Sequence, residues 1–219
     1  MIGWRLLLPL VMLLPGGVVL AGGIPPLPDP VEMLGWRDSV TVEGQRYPVP
    51  EQWRGFRLGL SSQPEPADLV DVPPELCAPG RKPRLRLAAL LAFRAMAAVA
   101  LSEDVQLLIN SGYRSVATQR RLFATRIAAG RQFEEIAWGV APPGYSEHML
   151  GTTVDLALGG DHETNPAYLW LRENGESFGF VETYPRETAG VFPWEPWHWR
   201  YLTTREMALR ERGNGEVDE

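Results

Sequence analysis

The chain has 219 residues, of which 45% are hydrophobic and 22% are charged, which suits one globular domain with additional sequence. Its formal net charge of −6 at pH 7 lacks the basic excess that is typical of nucleic-acid-binding proteins, so no nucleic-acid partner is expected. Cys77 is the only cysteine, which excludes an intramolecular disulfide and a zinc site built from thiolates. Any metal must therefore be held by nitrogen and oxygen ligands.

Residues 1–22 have the composition of a secretory signal peptide. One cation, Arg5, precedes a long apolar stretch that ends in small residues near position 22. Pro9 and Pro15 interrupt this stretch, which favours a cleaved signal peptide over the alternative, an uncleaved N-terminal membrane anchor. Either interpretation predicts that the protein is exported.

Residues 23–65 are rich in proline and show little hydrophobic periodicity. This composition predicts a linker, or an arm that wraps over the domain, without regular secondary structure. A folded domain is predicted at residues 66–205, and a charged C-terminal tail at residues 206–219.

Helices and short strands alternate in the predicted domain. The predicted elements are an extended segment at 67–73, a helix at 84–104, a strand at 105–110, a helix at 116–129 capped by Ser115, a loop at 139–147, a strand at 152–158, a helix that begins at Asn165-Pro166 and ends at Gly179, and strands at 180–183 and 194–202. Because the strands cluster toward the C-terminus, this order predicts an α+β fold in which helices flank a small, mostly antiparallel sheet.

His148, Asp155 and His198 are suitable ligands for a catalytic metal. Such a zinc takes three protein ligands and keeps one open position. Gly151 allows a turn between His148, on a loop, and Asp155, on the following strand. Asp155 interrupts an otherwise apolar strand, and a buried carboxylate is costly without a partner. A metal or an arginine would explain its presence equally well.

Glu195 stands three residues before His198, a spacing that places two side chains on opposite faces of a regular strand. Pro196 argues against regular pairing, and a bend there would bring both residues to one side. Glu195 could then act as a general base beside a metal, and the alternative is an exposed acid on an edge strand.

Arg114 lies where a buried strand passes into a helix, so it could bind a substrate carboxylate or an oxyanion. The alternative is a structural ion pair with a nearby acid. His162 has loop neighbours and no matching partner in the sequence, which predicts a solvent-exposed side chain.

Three motifs in this order resemble those of the VanY-like D-alanyl-D-alanine carboxypeptidases. They are SGYRSVATQRRLF at 111–123, GYSEHMLGTTVDL at 144–156, and GFVETYP at 179–185 followed by EPWHWRYL at 195–202. The family belongs to the zinc peptidase superfamily that includes lysostaphin-like and hedgehog-type folds. The resemblance covers residues from about 66 to 202 and implies a fold of this type with a zinc site at the sheet.

The resemblance implies a role for each matching residue. His148, Asp155 and His198 would bind Zn²⁺, and Glu195 would be the general base that acts on the metal-activated water. The remaining roles all concern the substrate: Arg114 would contact it and stabilise the oxyanion, Ser146 would contact its C-terminal carboxylate, Gln119 would help to position it, and Tyr113 would take part in binding it.

The implied substrate is a peptidoglycan stem peptide, cut near its C-terminal D-amino acid. This substrate agrees with export, and it predicts a periplasmic or envelope-associated bacterial protein. Alternatives are an L,D-carboxypeptidase, a stem-peptide endopeptidase or a non-catalytic zinc domain that binds wall peptides. The last is disfavoured because Glu195 is retained.

Two positions depart from the family pattern. Thr153 replaces a small apolar residue in the motif around Asp155, which predicts altered packing beside the metal. Thr183 stands where many relatives have an arginine before Tyr-Pro, and the lost cation predicts a change in the stem peptide that is accepted.

Overall fold

The computed structural model describes residues 38–188, 190–204, 206–208 and 210. The predicted signal peptide or anchor at 1–22 lies outside the described residues, and so does most of the predicted tail at 206–219. Among the described residues, no helix combines the length and the apolar character that crossing a membrane requires.

The described helices and strands are short. The α-helices are α1 (Leu87–Ser102), α2 (Val116–Ala128), α3 (Phe133–Gly139) and α4 (Pro166–Asn174). The strands are β1 (Ser39–Val42), β2 (Gln45–Pro48), β3 (Leu69–Asp71), β4 (Arg84–Arg86), β5 (Ile109–Ser111), β6 (Thr153–Leu156), β7 (Phe180–Glu182) and β8 (His198–Tyr201).

A four-stranded antiparallel sheet forms the centre of the fold, with the strand order β5-β6-β8-β7. The pairs β1-β2 and β3-β4 form two further antiparallel ribbons. Helices flank the central sheet, which confirms the predicted α+β class and its mostly antiparallel sheet.

One face of the central sheet carries the main hydrophobic core. Val154 of β6 and Trp199 of β8 pair directly and pack against α1, where Phe93 is fully buried. The ring of Phe93 meets that of Phe180 edge to face, with centroids 5.9 Å apart. Successive side chains of a strand point to opposite faces, so the next pair, Asp155 and His198, is directed away from this core.

Residues 38–65, part of the segment predicted as a linker or an arm over the domain, pack on the domain in a second core and contain two strands that were not predicted. Strands β1 and β2 form a hairpin, and Trp53 follows it as a buried residue with 4% exposure. The Trp53 indole donates a 2.7 Å hydrogen bond to the carbonyl of Ala137 in α3. Tyr47 stacks on Phe133 of α3, with ring centroids 4.7 Å apart. The described residues 38–65 therefore belong to the folded unit, because distant helices stabilise a segment whose local pattern is weak.

Local capping signals correctly predicted the starts of α2 and α4. The Ser115 hydroxyl accepts the Thr118 N–H at 3.1 Å, and the Asn165 side chain accepts the Ala167 N–H at 2.9 Å with Pro166 at the first helical position. Residues 84–86, predicted as helix, instead form β4 and pair with β3. The seven-residue helix α3 was not predicted, because its apolar pattern is too short to stand out.

Candidate functional site

His148, Asp155 and His198 come together on the face of the sheet opposite the core. One ligand atom from each lies within 4.8 Å of the others. Asp155 lies between the two histidines: its Oδ2 is 3.2 Å from His148 Nε2, and its Oδ1 is 3.2 Å from His198 Nδ1. The direct pairing of Asp155 with His198 across β6 and β8 sets this distance.

The turn that precedes β6 brings His148 into the site. His148 lies in a 3₁₀ turn, Glu147–Leu150, that ends at Gly151 with a φ of 73°. A side chain at Gly151 would be strained by this φ and would lie 3.0 Å from Leu69 Cδ2, so glycine is required. His148 Nδ1 lies 2.7 Å from the Gly112 carbonyl. A carbonyl only accepts, so Nδ1 donates, and Nε2 is the nitrogen that faces Asp155.

The chemistry of the three donors fits a zinc ion. Two imidazoles and one carboxylate are a known ligand set for catalytic zinc, which keeps its fourth position open. Burial opposes the charge of Asp155, yet the two histidines hold its pKa well below the usual range. Burial also disfavours an imidazolium, but hydrogen bonds to Asp155 and Glu147 raise the pKa of His198 to about 10. The carboxylates therefore favour positive charge at the point where the three side chains meet.

The sequence left an arginine partner for Asp155 as an alternative, and the structure contains this contact too. Arg114 Nη2 lies 3.9 Å from Asp155 Oδ2, farther than either histidine nitrogen. The guanidinium is held by Ser111 Oγ at 3.2 Å and by Gln119 Oε1 at 3.1 Å. Gln119 is itself buried and donates to the Ala141 carbonyl at 2.6 Å. Gln119 thus fixes the direction of Arg114.

Glu195 lies beside the cluster because the chain bends before β8. The His198 N–H donates to the Glu195 carbonyl at 2.9 Å, and Glu195 Oε2 lies 3.8 Å from His198 Nδ1. The bend around Pro196 that the sequence indicated is present. Burial raises the pKa of Glu195, His198 partly offsets this rise, and Asp155 adds to it. A carboxylate in such surroundings accepts a proton more readily than an exposed one.

These side chains line one cleft of about 220 Å³. Ser146 lies in its wall with 5% exposure. Tyr113, predicted to bind substrate, is not among the residues that line the cleft. Its backbone N–H donates to the Arg84 carbonyl at 2.8 Å. The apolar part of the wall consists of Trp53, Leu122, Val140, Ala141, Tyr184 and Trp197.

Glu147 belongs to the site but was not singled out in the sequence. Its Oε2 accepts a 3.1 Å hydrogen bond from His198 Nε2, and its Oε1 accepts one of 3.0 Å from Arg200. Burial opposes ionisation, but His198 and Arg200 lower the pKa of Glu147 to about 2. The available signal was its position next to His148. Its partner His198 is 51 residues away, so the contact depends on the fold.

His162 was predicted to be solvent-exposed, and this prediction was wrong. It is half-buried against Trp197 and Trp194, with ring centroids 5.5 and 6.3 Å apart. Two positions depart from the family pattern. Thr153 is fully buried. Thr183 lies near Glu147, which forms an ion pair with Arg200.

Comparisons with known proteins agree with this fold. The family described as VanY, D-alanyl-D-alanine carboxypeptidase, matches residues 82–204. A D-alanyl-D-alanine carboxypeptidase of Enterococcus faecalis is 31% identical over 77% of this chain and 76% of its own length.

Two solved structures share the fold. One is a Zn(II) complex of a variant of the vancomycin resistance D,D-pentapeptidase VanY from a VanB-type cassette. It is 26% identical over 72% of this chain and 89% of its own, with a TM-score of 0.54. The other, VanYB in complex with D-alanine-D-alanine, is 28% identical over 75% of this chain and 98% of its own, with a TM-score of 0.51.

The fold and the comparisons together define a metallopeptidase of the D-alanyl-D-alanine carboxypeptidase type. More particularly, the chain belongs to the VanY family.

Proposed function

We propose that this protein is a zinc-dependent carboxypeptidase that removes the terminal D-amino acid from peptidoglycan stem peptides. The observation that carries the proposal is the convergence of His148, Asp155 and His198, with Glu195 beside them in one cleft. The names of the relatives support the reaction, and the D-alanine-D-alanine bound to VanYB supports the substrate class.

The proposed metal ligands are His148 through Nε2, Asp155 through its carboxylate and His198 through Nδ1. Zinc bound there would supply Lewis acidity that lowers the pKa of a water and polarises the scissile carbonyl. Glu195 takes the proton from the attacking water on its carboxylate and passes it to the departing amine. Its position beside His198 Nδ1 and its raised pKa suit both transfers.

Arg114 and Ser146 face the substrate in this proposal. The guanidinium of Arg114 would stabilise the negative charge that develops on the carbonyl oxygen, and Gln119 holds it in place before substrate arrives. Ser146, in the cleft wall beside the ligand His148, would donate a hydrogen bond to the terminal carboxylate.

We further propose that the protein acts outside the cytoplasm, in the periplasm or attached to the cell envelope. The proposed substrate lies there, and residues 1–22 have the composition of an export signal or an anchor. Fusion of residues 1–37 to a reporter enzyme that is active only after export tests this location, and an inactive reporter in cells that make the fusion would contradict it.

Mass spectrometry of products from purified muropeptides tests the reaction. The zinc-loaded protein is expected to release one alanine from the pentapeptide and to leave the tetrapeptide intact. Cleavage of the tetrapeptide would instead indicate an L,D-carboxypeptidase, and internal fragments would indicate an endopeptidase. Zinc binding without any product would instead indicate a non-catalytic domain that binds wall peptides.

A further inference from the structure

In the proposed zinc site, the ligand residues alone do not determine which nitrogen of each imidazole binds the metal. An imidazole has two nitrogens, and only the one without a proton has a lone pair for a metal. For His148 the hydrogen bond from Nδ1 to the Gly112 carbonyl leaves Nε2 as the ligand nitrogen. For His198 both nitrogens lie near carboxylates, since Nδ1 is 3.2 Å from Asp155 and Nε2 is 3.1 Å from Glu147.

We propose that Glu147 is a positioning residue that fixes the His198 ring, so that Nε2 carries the proton and Nδ1 is the ligand atom. This inference rests on the proposed zinc site. An ionised carboxylate can only accept hydrogen bonds, so Glu147 Oε2 requires a proton on the nitrogen that faces it. A half-turn of the ring about the Cβ–Cγ bond would lose this hydrogen bond and would place Cδ2, which cannot bind a metal, where Nδ1 now faces Asp155.

Glu147 can do this because its own carboxylate is held on both oxygens. Oε1 accepts from Arg200 Nη1 at 3.0 Å, while Oε2 accepts from His198. Arg200 and His198 are two residues apart on β8, so their side chains leave the same face of the strand. The Glu147 side chain is only 11% exposed, which limits competition from water.

The arrangement also joins the two parts of the chain that carry the ligands. Glu147 is the neighbour of His148 in the 3₁₀ turn before β6, whereas His198 and Arg200 belong to β8. One carboxylate therefore connects the turn that places one histidine with the strand that places the other. Outer groups of this kind typically change metal affinity by 10- to 100-fold when they are removed.

Zinc affinity measured by competition with a chromogenic chelator tests the role of Glu147 without any need for hydrolysis. Glu147→Leu is expected to weaken zinc binding by about 10- to 100-fold. Glu147→Gln, which keeps one acceptor for two donors, should fall between this variant and the wild type. The absorption spectrum of the Co²⁺-substituted protein should change in Glu147→Leu, because it reports the geometry around the metal.

Glu206→Gln is the matched control. Glu206 accepts from the other end of Arg200 at 2.7 Å but does not contact His198, so this variant should keep wild-type affinity. Wild-type affinity with an unchanged Co²⁺ spectrum in Glu147→Leu would overturn the proposal. If that variant does not fold, Glu147→Gln decides: an affinity equal to that of the wild type would overturn it. Wild-type protein that binds zinc but releases no amino acid would refute the proposed reaction and leave the role of Glu147 intact.

Discussion

At the scale of single residues, Asp155 connects the groups that the site depends on. Its two oxygens contact both histidines, and Arg114 lies 3.9 Å from it. Glu195, in contrast, lies at a longer distance from the cluster, with its Oε2 3.8 Å from His198 Nδ1. In the proposed mechanism, the central carboxylate of Asp155 therefore holds the metal and the outer carboxylate of Glu195 exchanges the proton.

Glu195→Gln is expected to lose at least about 100-fold in kcat while keeping zinc, because the amide cannot take the proton of the attacking water. The measurement is release of D-alanine from a pentapeptide muropeptide, with zinc content determined on the same sample. Release at the wild-type rate would show that another residue is the base.

The acid limb of the pH dependence of kcat/KM should have a pKa above the ordinary value of a carboxyl group. Burial raises the pKa of Glu195 above the ordinary value of a glutamate. The base is active only when ionised, so kcat/KM should rise as pH increases through this raised pKa and be lost below it. A profile that stays flat down to pH 4.5 would contradict the assignment.

At the scale of elements, prediction succeeded where the signals were local. The caps at Ser115 and Asn165 placed the starts of α2 and α4, and the motif around His148 indicated a loop followed by a strand. The hairpin β1-β2 was not predicted, because its stability comes from packing on α3 in a distant part of the chain. Glu147 was missed for the same reason, as its partners His198 and Arg200 become neighbours only in the folded sheet.

Trp53→Ala should lower the free energy of unfolding by about 3–5 kcal/mol, because it empties a buried site and removes the 2.7 Å hydrogen bond to the Ala137 carbonyl. Denaturant unfolding followed by circular dichroism measures this loss. Phe56→Ala is the control: Phe56 is 59% exposed, and its removal should change stability by no more than about 0.5 kcal/mol. Equal effects of the two substitutions would indicate that the segment 38–56 is not part of the core.

At the scale of the whole molecule, the two faces of the central sheet have different roles. One face packs against α1 and α4 in the main core, and the other presents Asp155 and His198 to the cleft. The second core closes that cleft, since Trp53 lines it and α2 contributes Gln119 and Leu122. Residues 38–65 are therefore expected to influence both the stability and the shape of the substrate site.

Metal analysis of the purified protein tests the central claim most directly. The wild type is expected to contain one zinc per chain after dialysis against a metal-free buffer, and Asp155→Ala should contain little, because it loses the carboxylate that lies between both histidines. An absence of zinc in the refolded wild type after incubation with the metal would contradict the account, and so would full zinc content in Asp155→Ala.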